Sequence, residues 1–404
     1  MSLIVQKFGG TSVASIERVF NVAKIITTPY RAGDEVVVVV SAQGNTTDNL
    51  IEKAAKINSN ASKREMDVLL SSGEQISASL LSMAIERLGF PVVSLLGWQA
   101  GVKTSSSYGN AMIKNIDIAR IKKELDKKNI VIVAGFQGVN RYCDVTTLGR
   151  GGSDTSAVAL AAALNADLCK IYTDVNGVYT ADPRLIHNAK KLNAISYDEM
   201  LELATLGAQV LNNRSVEIAK KYNLELEVLS SLNDRPGTTV KEVVNLEKML
   251  ISGVAKDDNI SVISVYGVPD VPGWAFRIFS KLAARNINVD IILQSSGKDD
   301  TKNILFTVSK EHKKDSMEIL KKYCESLNGT KVESSDNLSK VSIVGAGMET
   351  HSGIASKMFE ALYLANINIK AISTSEIKIS VLVDKTDANE AVLAIHDVFF
   401  NTIA

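Results

Sequence analysis

The first apolar run of the chain leads into two glycines and reads Leu3-Ile4-Val5-Gln6-Lys7-Phe8-Gly9-Gly10-Thr11-Ser12-Val13. Residues 3–8 have the composition of a short buried strand, and a helical pattern begins at residue 15. Paired glycines let a backbone approach a phosphate closely, and the N–H groups of a helix N-terminus favour an anion. Lys7 adds a positive charge at the end of the strand. The run therefore predicts either a phosphate-binding loop or a tight turn with a Thr or Ser cap and a solvated lysine.

The same order of strand, loop and helix recurs over residues 1–245. The predicted strands are 3–8, 35–41, 92–96, 130–135 and 168–173, and the predicted helices include 15–26, 67–88, 116–129 and 153–165. Short strands that are apolar throughout, alternating with helices, indicate an α/β fold with a mostly parallel sheet sandwiched by helices. Ligands of such sheets bind beyond the carboxyl ends of the strands, so the loops that follow the strands are the candidate sites.

A second glycine-rich loop leads into an Ala-rich helix and reads Thr147-Leu148-Gly149-Arg150-Gly151-Gly152-Ser153-Asp154-Thr155-Ser156-Ala157. It carries Arg150 and Asp154 four residues apart. A guanidinium suits bidentate capture of a carboxylate, which a lysine does not reproduce. The alternative is a glycine hinge in which Ser153 or Asp154 caps the helix. Two such loops in one chain favour anion binding.

A third loop follows the strand at 168–173 and reads Thr173-Asp174-Val175-Asn176-Gly177-Val178-Tyr179-Thr180-Ala181-Asp182-Pro183-Arg184. Its Asp174, Tyr179 and Arg184 suit hydrogen bonding, stacking and charge pairing with a nucleotide, although a solvent-facing hairpin with Asn-Gly at its tip has the same sequence. The chain has no G-x-x-x-x-G-K-[ST] loop and no protein-kinase signature. Gly345-Ala346-Gly347 lacks the third glycine of a dinucleotide fingerprint, which disfavours such a site.

The C-terminal part contains an internal repeat with a constant offset of 80 residues. Gly273 matches Gly353, and the run 286–289 (Asn-Ile-Asn-Val) matches 366–369 (Asn-Ile-Asn-Ile). Each copy has the pattern strand, helix, strand, strand, helix, but only four residues follow the last helix of the second copy. We therefore predict that residues 250–255, just before the first copy, supply the missing strand, so that the two copies are interleaved.

Composition narrows the class of protein. Lys plus Arg and Asp plus Glu both number 45 in 404 residues, so no net field draws the chain to nucleic acid or anionic lipid. Its three cysteines and four histidines are scattered, which argues against a disulfide framework or a metal site. The first residues do not resemble a signal peptide, and the apolar run at 157–163 is far shorter than the ~20 residues of a membrane helix. We expect a cytoplasmic protein with small-molecule partners, no nucleic acid and no membrane.

Five motifs taken in order resemble those of the amino-acid kinase superfamily and, more narrowly, of the aspartate kinases. They are 7–13, 40–42 (Val-Ser-Ala), 72–74 (Ser-Gly-Glu), 148–157 and 173–184. The repeat is similar to the paired ACT modules that follow these kinases, so the resemblance covers the chain from end to end. It implies a catalytic domain over 1–245, a first βαββαβ ACT-like module with its preceding strand over 246–335, and a second module over 336–404.

The resemblance implies transfer of the γ-phosphoryl group of ATP to the β-carboxylate of aspartate, the first step of lysine, threonine and methionine biosynthesis. Mg²⁺ would be held mainly through the nucleotide phosphates, with no metal site of the protein's own. The implied catalytic residues are Lys7 and Asp154, which holds the Lys7 ammonium. The implied substrate contacts are Arg150 to the α-carboxylate, Glu74 to the α-ammonium, and Thr46 and Ser153 in the pocket wall. The implied nucleotide and phosphate contacts are Lys7, Gly9, Gly10, Ser41, Thr173, Asp174, Tyr179 and Arg184.

This assignment is chemically coherent without a catalytic histidine. A carboxylate is already ionised at pH 7 and is a competent nucleophile, so the reaction needs no general base. It needs positioning and neutralisation of negative charge, which Lys7, Mg²⁺ and backbone N–H groups supply. For Glu74 the alternative is an ordinary carboxylate on a helix surface.

One run departs from the resembling family. After 207–208 that family usually reads Lys-Val-Leu-His-Pro-Arg, whereas this chain has Gln209-Val210-Leu211-Asn212-Asn213-Arg214. The family's lysine contributes to nucleotide binding in some members, so Gln209 puts that contact and the ATP affinity in question.

The ACT resemblance implies a bound amino-acid effector and a homo-oligomer formed through the modules. The matching positions are Asp270, Gly273, Asn288, Val289, Asp290, Gln294, Asn368 and Ile369. Lysine and threonine are the family's usual effectors, and lysine is our preference. For Gly273 and Asn288 the alternative is a turn-forming role that repeat symmetry alone explains. Met249 stands where some relatives begin a separate small subunit.

Three other functions stay open from sequence. One is another amino-acid kinase, for example one acting on glutamate. A second is an amino-acid-sensing regulator with an inactive kinase domain, suggested by Gln209, Asn212 and Asn213. A third is an ACT-bearing dehydrogenase, which would bind a nicotinamide cofactor.

Overall fold

The computed structural model describes residues 2–206, 210–242, 250–297, 300–324, 330–348 and 351–401. Over these residues the chain forms two compact units. The first takes residues 2–179, 190–205 and 210–242, and the second takes 180–189, 206 and the described residues from 250 onward. The chain thus passes from the first unit into the second at residue 180 and returns to the first at residue 190.

The first unit is an α/β domain. Its strands are β1 Leu3–Phe8, β2 Glu35–Val40, β3 Val92–Leu95, β4 Val102–Thr104, β5 Ile113–Ile116, β6 Ile130–Ala134, β7 Gln137–Val139, β8 Val145–Thr147, β9 Leu168–Thr173, β10 Ala194–Ile195, β11 Leu226–Ser230 and β12 Thr238–Val240. Its helices are α1 Ile16–Arg31, α2 Thr46–Ile57, α3 Lys63–Arg87, α4 Ala119–Asp126, α5 Gly152–Leu164, α6 Tyr197–Thr205 and α7 Asn213–Tyr222.

Eight of these strands form the main sheet in the order β10-β12-β11-β9-β1-β2-β6-β3. Every neighbouring pair is parallel except β11 and β12, which confirms the predicted mostly parallel sheet. All five predicted strands are present, within one residue at their ends. Strand β2 is buried from Val36 to Val40 because helices cover both faces of the sheet. A second sheet, β5-β4-β7-β8, stands beside it.

The predicted helix over 116–129 is wrong at both ends. Ile116 pairs with Val102 in the second sheet, so residues 113–116 are strand β5. Helix α4 begins at Ala119, whose N–H is accepted by Asp117 Oδ1. It ends at Asp126, and Lys128 has a positive φ of 61°, which a helix does not accommodate. The apolar period of the sequence did not distinguish a strand end followed by a short helix from one longer helix.

Helix α3, Lys63–Arg87, is the longest helix described. By length and composition alone it would be long and apolar enough to cross a membrane, but half of its most apolar 18-residue window is buried inside the structure. Its buried face also carries two carboxylates, Asp67 and Glu74. Buried carboxylates within a packed face are typical of a core helix that serves a site rather than of a lipid-facing one.

The second unit contains two sheets of four strands. Its strands are β13 Gly253–Asp257, β14 Ile260–Pro269, β15 Ile292–Ser296, β16 Thr301–Ser309, β17 Lys331–Ser335, β18 Leu338–Val344, β19 Ala371–Thr374 and β20 Lys378–Asp384, and its helices are α8 Trp274–Ala283, α9 Lys313–Cys324, α10 Ile354–Leu364 and α11 Ala388–His396. The sheet orders are β15-β16-β14-β17 and β13-β18-β20-β19. The first module therefore has the order β14-α8-β15-β16-α9-β17, which is βαββαβ.

The predicted interleaving is confirmed, although the strand that is supplied covers 253–257 rather than the predicted 250–255. Strand β13, which precedes the first module in sequence, pairs antiparallel with β18 of the second module, from Gly253 opposite Val344 to Asp257 opposite Lys340. The two copies of the repeat also share backbone angles. Gly273 and Gly353 have φ of 101° and 98° at the starts of α8 and α10.

The second module's core includes residues from segment 180–189. Ala181 and Ile186 belong to the hydrophobic cluster that includes Met358 and Val381. Thr180 is fully buried, and its Oγ1 lies 2.9 Å from His396 Nε2 in α11. The backbone N–H of Val254 in β13 donates to Thr180 O at 2.7 Å. The segment is therefore an integral part of the second unit.

Candidate functional site

Three loops are tied together at the carboxyl ends of β9, β1 and β2. Gly9 N donates to Tyr172 O at 3.3 Å, Ser41 N to Phe8 O at 3.1 Å, and Gly44 N to Gly10 O at 3.0 Å. A Cβ on Gly10 would lie 2.5 Å from Ala42 O, a separation that real Cβ atoms do not show. Gly10 is thus required for the approach of the two loops, as expected for a glycine at a close backbone contact.

Lys7 and Asp154 form an ion pair at this edge of the sheet. Lys7 Nζ lies 2.6 Å from Asp154 Oδ1, and the two side chains are only 11% and 12% exposed. Lys7 is the penultimate residue of β1, and Asp154 lies in the first turn of α5, where a carboxylate is favoured by the helix dipole. A Cβ on Gly9 would lie 3.4 Å from Lys7 Nζ, so the ammonium stands beside the Gly9 backbone. The structure thus brings together the two residues predicted to act as a pair.

Glu74 is buried, with 3% of its surface exposed. Its Oε1 accepts from Ala42 N at 3.0 Å, whereas its buried Oε2 has no hydrogen-bond partner within the described residues. Burial raises the pKa of Glu74 to about 7, and the Ala42 N–H partly offsets that shift. Such a carboxylate is not the ordinary helix-surface group of the alternative interpretation. A buried acceptor without a donor is costly, and a ligand ammonium would satisfy it.

Thr46 and Ser153 lie near the ends of the neighbouring strands β2 and β6. A Cβ on Gly73, the neighbour of Glu74, would stand 2.8 Å from Ala42 Cβ and 3.5 Å from Thr46 Cγ2, so Thr46 packs close to α3. Ser153 is 7% exposed and abuts Gly135 at the end of β6, where an added Cβ would lie 3.0 Å from its Oγ.

Arg150 stands in a loop whose glycines adopt left-handed angles, with φ of 79° at Gly149 and 64° at Gly151. Its side chain is exposed, and its guanidinium contacts no carboxylate within the part of the chain that the structure describes. An unengaged guanidinium beside an anion-favouring helix terminus is suited to a carboxylate ligand.

The predicted nucleotide residues divide into two groups. Thr173 and Asp174 follow β9, next to β1 in the sheet, and Thr173 Oγ1 donates to Asp174 Oδ1 at 3.1 Å. Tyr179 forms an isolated antiparallel bridge with Lys191. Arg184 lies in segment 180–189 of the second unit, is 85% exposed, and pairs with Asp182 at 2.9 Å. Gln209 lies outside the described residues.

Sequence reasoning missed Asp67, a fully buried carboxylate two helical turns before Glu74 on the same face of α3. Its oxygens accept from Gly109 N at 3.0 Å, Thr147 N at 3.0 Å and Thr147 Oγ1 at 2.7 Å. Asp67 therefore fixes the start of the loop that carries Arg150. The available signal was the seven-residue spacing of two carboxylates in the predicted helix over 67–88, which places both on one face.

Asn212 and Arg214 were also missed as contacts of the Arg150 loop. Asn212 Nδ2 donates to Arg150 O at 3.0 Å, and Arg214 Nη1 donates to Leu148 O at 2.7 Å. The sequence singled out Asn212 only as a departure from the resembling family and gave no sign of what it contacts.

A cavity of about 320 Å³ opens in the first module of the second unit, lined by residues 268–275 with Gln294, Lys302 and Ile304. It includes three of the predicted effector residues, Asp270, Gly273 and Gln294. Asp270 Oδ2 lies 3.1 Å from Lys302 Nζ. The cavity thus offers a carboxylate, an ammonium, an amide and the N-terminus of α8 to a ligand.

The other predicted effector residues are placed differently. The Asp290 carboxylate contacts Nζ of Lys340, a buried residue of β18 in the second module. Val289 and Ile369 pack against the cores of the first and second modules, respectively. Asn288 and Asn368 are exposed.

Comparison with known proteins gives consistent matches. A family model described as the amino acid kinase family matches residues 2–230, and one described as an ACT domain matches 263–323 and 341–399. An aspartokinase of Bacillus sp. (strain MGA3) is 50% identical over 400 residues, which is 99% of this chain and 97% of that protein.

Two solved structures of E. coli aspartokinase III are similar over 98% of this chain. The R-state, in complex with aspartate and ADP, has a TM-score of 0.84 and 25% identity and is covered in full. The T-state, in complex with lysine and aspartate, has a TM-score of 0.73 and 26% identity, with 99% of that chain covered.

Proposed function

Because this chain belongs to the amino acid kinase family, as an aspartokinase, we propose that Glu74 and Arg150 hold aspartate while Lys7 stabilises the phosphoryl group in transfer. The enzyme is an ATP-dependent kinase that acts on aspartate. The residue roles, the metal and the regulation described below are proposals that rest on the site geometry.

Aspartate is held by its two head groups. The α-ammonium meets the buried Glu74 Oε2, and the α-carboxylate meets the exposed Arg150 guanidinium. Thr46 and Ser153 form the pocket wall. With both head groups fixed at the carboxyl edge of the sheet, the β-carboxylate remains to face the phosphates. A group held in place in this way reacts as though at a high effective concentration.

Phosphoryl transfer needs no proton to be removed from the nucleophile. A β-carboxylate oxygen forms a bond to the γ-phosphorus, the bond to the oxygen bridging the β- and γ-phosphates breaks, and ADP departs with that electron pair. Lys7, positioned by Asp154, and the N–H groups of Gly9 and Gly10 neutralise the charge that spreads over the γ-phosphoryl oxygens.

ATP is held by Ser41, Thr173, Asp174 and Tyr179 in this proposal. Mg²⁺, when bound, neutralises phosphate charge and is held mainly by the nucleotide rather than by protein ligands. Within the described residues there is no group of three or more His, Cys, Asp and Glu side chains suited to holding a metal ion.

The observation that carries the assignment is the Glu74 carboxylate, whose buried Oε2 receives no hydrogen bond from any residue that the structure describes. A purely structural glutamate would be paired on both oxygens or exposed to water. A cationic ligand satisfies Oε2 and restores ionisation of a group whose pKa burial has raised.

The test is formation of an acyl phosphate, trapped with hydroxylamine, from aspartate and separately from glutamate. We expect aspartate-specific product that depends on ATP and Mg²⁺ and falls at least a hundredfold in Lys7→Ala. Lys170→Ala is the matched control, because Lys170 on β9 pairs with Glu227 and has no role in this assignment. Equal product from Lys7→Ala and wild-type enzyme would contradict the role of Lys7.

We propose further that an amino acid bound in the first module's cavity inhibits the kinase. The E. coli T-state contains lysine, and lysine is our preferred effector here, with threonine as the alternative. Inhibition requires the effector to bind a low-activity arrangement more tightly than the active one. Isothermal titration with lysine and with threonine tests this, since Asp270→Ala should weaken binding of the true effector at least tenfold.

The remaining assignments are proposals of the same kind. The catalytic domain spans 1–245 except for segment 180–189, which packs within the second unit. The first module with its preceding strand spans 246–335, and the second module 336–404. The modules pair across chains to form a homo-oligomer. The enzyme acts in the cytoplasm at the first step of lysine, threonine and methionine biosynthesis.

A further inference from the structure

The N-terminus of α7 is hydrogen-bonded to the loop that carries Arg150. Both halves of the Asn212 amide are used: Nδ2 donates to Arg150 O at 3.0 Å, and Oδ1 accepts from Arg214 N at 3.0 Å, which caps the helix. Gly151 packs directly on this side chain, because an added Cβ would stand 2.5 Å from Asn212 Nδ2. Asn212 thus joins the helix cap to the loop carbonyl in one side chain.

Arg214, the second residue of α7, completes the contact. Its Nη1 donates to Leu148 O at 2.7 Å and to Asn110 Oδ1 at 3.3 Å, and its Nη2 donates to Ala111 O at 3.0 Å. The carbonyls at 148 and 150 are therefore both held by the first residues of α7. Gly149, which lies between them, also abuts Asn110 Oδ1.

These contacts matter because the backbone on either side of Arg150 is intrinsically flexible. Arg150 is flanked by glycines with left-handed φ angles, and glycine has more conformational freedom than any other residue. The Arg150 guanidinium itself contacts no carboxylate in the described ranges. Its position before substrate arrives is therefore set by the backbone, and Asn212, Arg214 and Asp67 all hold that backbone through hydrogen bonds.

We propose that Asn212 is a positioning residue for aspartate binding: its side-chain amide orders the Arg150 loop before the α-carboxylate arrives. This inference rests on the proposed role of Arg150. The resembling kinases usually have histidine here, so the arrangement belongs to this chain's own sequence. Ordering a loop in advance improves affinity by removing the entropic cost of ordering it on binding.

The substitution Asn212→Asp separates the two functions of the amide. A carboxylate still accepts from Arg214 N and caps α7 well, but it has no proton to donate to Arg150 O. We expect the KM for aspartate to rise roughly tenfold, as for the loss of one ordering hydrogen bond, while kcat, the KM for ATP and the melting temperature change little. Asn212→Ser caps the helix with a shorter side chain and adds no charge. It should show the same rise in KM, which would exclude the new charge as the cause.

Asn213→Asp is the matched control. It introduces the same charge one residue later, where Asn213 Nδ2 donates to Thr205 Oγ1 rather than to the Arg150 loop. Its KM for aspartate should equal that of wild type. An unchanged KM in Asn212→Asp, or an equal rise in Asn213→Asp, would overturn the inference.

A double-mutant cycle separates this inference from the proposed function. If Arg150 binds the α-carboxylate and Asn212 acts through it, Arg150→Ala raises the KM for aspartate, and adding Asn212→Asp has little further effect. A full additional rise in the double variant would refute the action of Asn212 through Arg150. An unchanged KM in Arg150→Ala would instead refute the proposed role of Arg150 itself.

Discussion

At the scale of single residues, burial in the fold changes the charge state of the Glu74 carboxyl at neutral pH. Burial raises its pKa to about 7, well above that of an ordinary glutamate. Since its ionised form is the one that attracts an α-ammonium, aspartate binding should follow its titration. The unfolded chain ionises this group near pH 4.5, so the same shift lowers the free energy of unfolding as pH rises from there through 7.

We therefore expect kcat/KM for aspartate to rise with pH. Between pH 6 and pH 8 the ionised fraction of a group with a pKa near 7 increases roughly tenfold, and kcat/KM should increase by about the same factor. Steady-state kinetics with saturating MgATP across this range measure the effect.

Glu74→Gln provides the comparison. The amide has the same shape but does not titrate, so its kcat/KM for aspartate should be low and flat over the same range. A wild-type profile without this step, or the same step in Glu74→Gln, would show that another group governs binding.

Some of the site's residue contacts could be predicted from the sequence, and others could not. The Lys7–Asp154 pair was predictable because both residues stand in motifs that resemble known ones. Asn212 contacts a residue 62 positions away, and Asp67 one that is 80 positions away. No local pattern encodes such contacts, since an Asn cap and a buried helical Asp each suit many surroundings. They become visible only when β8, α3 and α7 are placed together.

At the scale of elements, the loop after β1 and the loop after β2 pack without room for a side chain between them. The two glycines of the first loop differ in this respect. An added Cβ would be 2.5 Å from Ala42 O at Gly10, but no closer than 3.4 Å to any atom at Gly9.

Gly10→Ala should therefore lower the free energy of unfolding of the first unit by about 1–3 kcal/mol, the usual cost of overpacking. Gly9→Ala is the matched comparison and should cost less than half as much, because its Cβ meets ordinary contacts. Urea denaturation followed by circular dichroism measures both. Equal losses in the two variants would contradict this steric explanation.

Element boundaries were predictable where apolar runs were short and ended at glycine or at a polar residue such as Ser41 or Asp174. This is why all five strands of the main sheet that the sequence predicts were found. The region 113–126 was not predictable, because Ile116 and Ile121 continue one apolar period across a strand, a turn and a helix. Strand β13 was predictable because the second module lacked a final strand. That argument came from the topology of the repeat and not from the sequence of β13.

At the scale of the whole molecule, the two modules of the second unit are joined by a buried ammonium. Lys340 is 2% exposed and contacts Asp290 of the first module, with Asp257 of β13 at 3.8 Å. Asp290 follows α8, whose N-terminus lines the cavity proposed for the effector. A shift in the first module therefore reaches the second through an ion pair as well as through apolar packing.

Lys340→Met should weaken inhibition. The methionine fills similar volume but leaves the two carboxylates without their cation, so effector binding in one module is less well coupled to the other. We expect the effector concentration for half-inhibition to rise several-fold with kcat unchanged in its absence.

Lys331→Met is the control for this substitution. The Lys331 side chain on β17 is 71% exposed and pairs with Glu333 of its own strand, so its loss should not alter inhibition. If Lys340→Met and Lys331→Met have the same inhibition curve as wild type, the ion pair has no part in coupling.

The packing of segment 180–189 into the second module has a consequence for how the protein is made. Thr180 leaves the ribosome 216 residues before His396, its partner in α11. At 5–20 residues per second that interval is on the order of 10–40 s. Until α11 emerges, Ala181 and Ile186 have no complete core to enter, although the strands that precede them have already been synthesised. A nascent chain that stops early therefore displays an apolar peptide in its middle, and this exposed peptide distinguishes an unfinished enzyme from a finished one to any chaperone or protease that binds apolar segments.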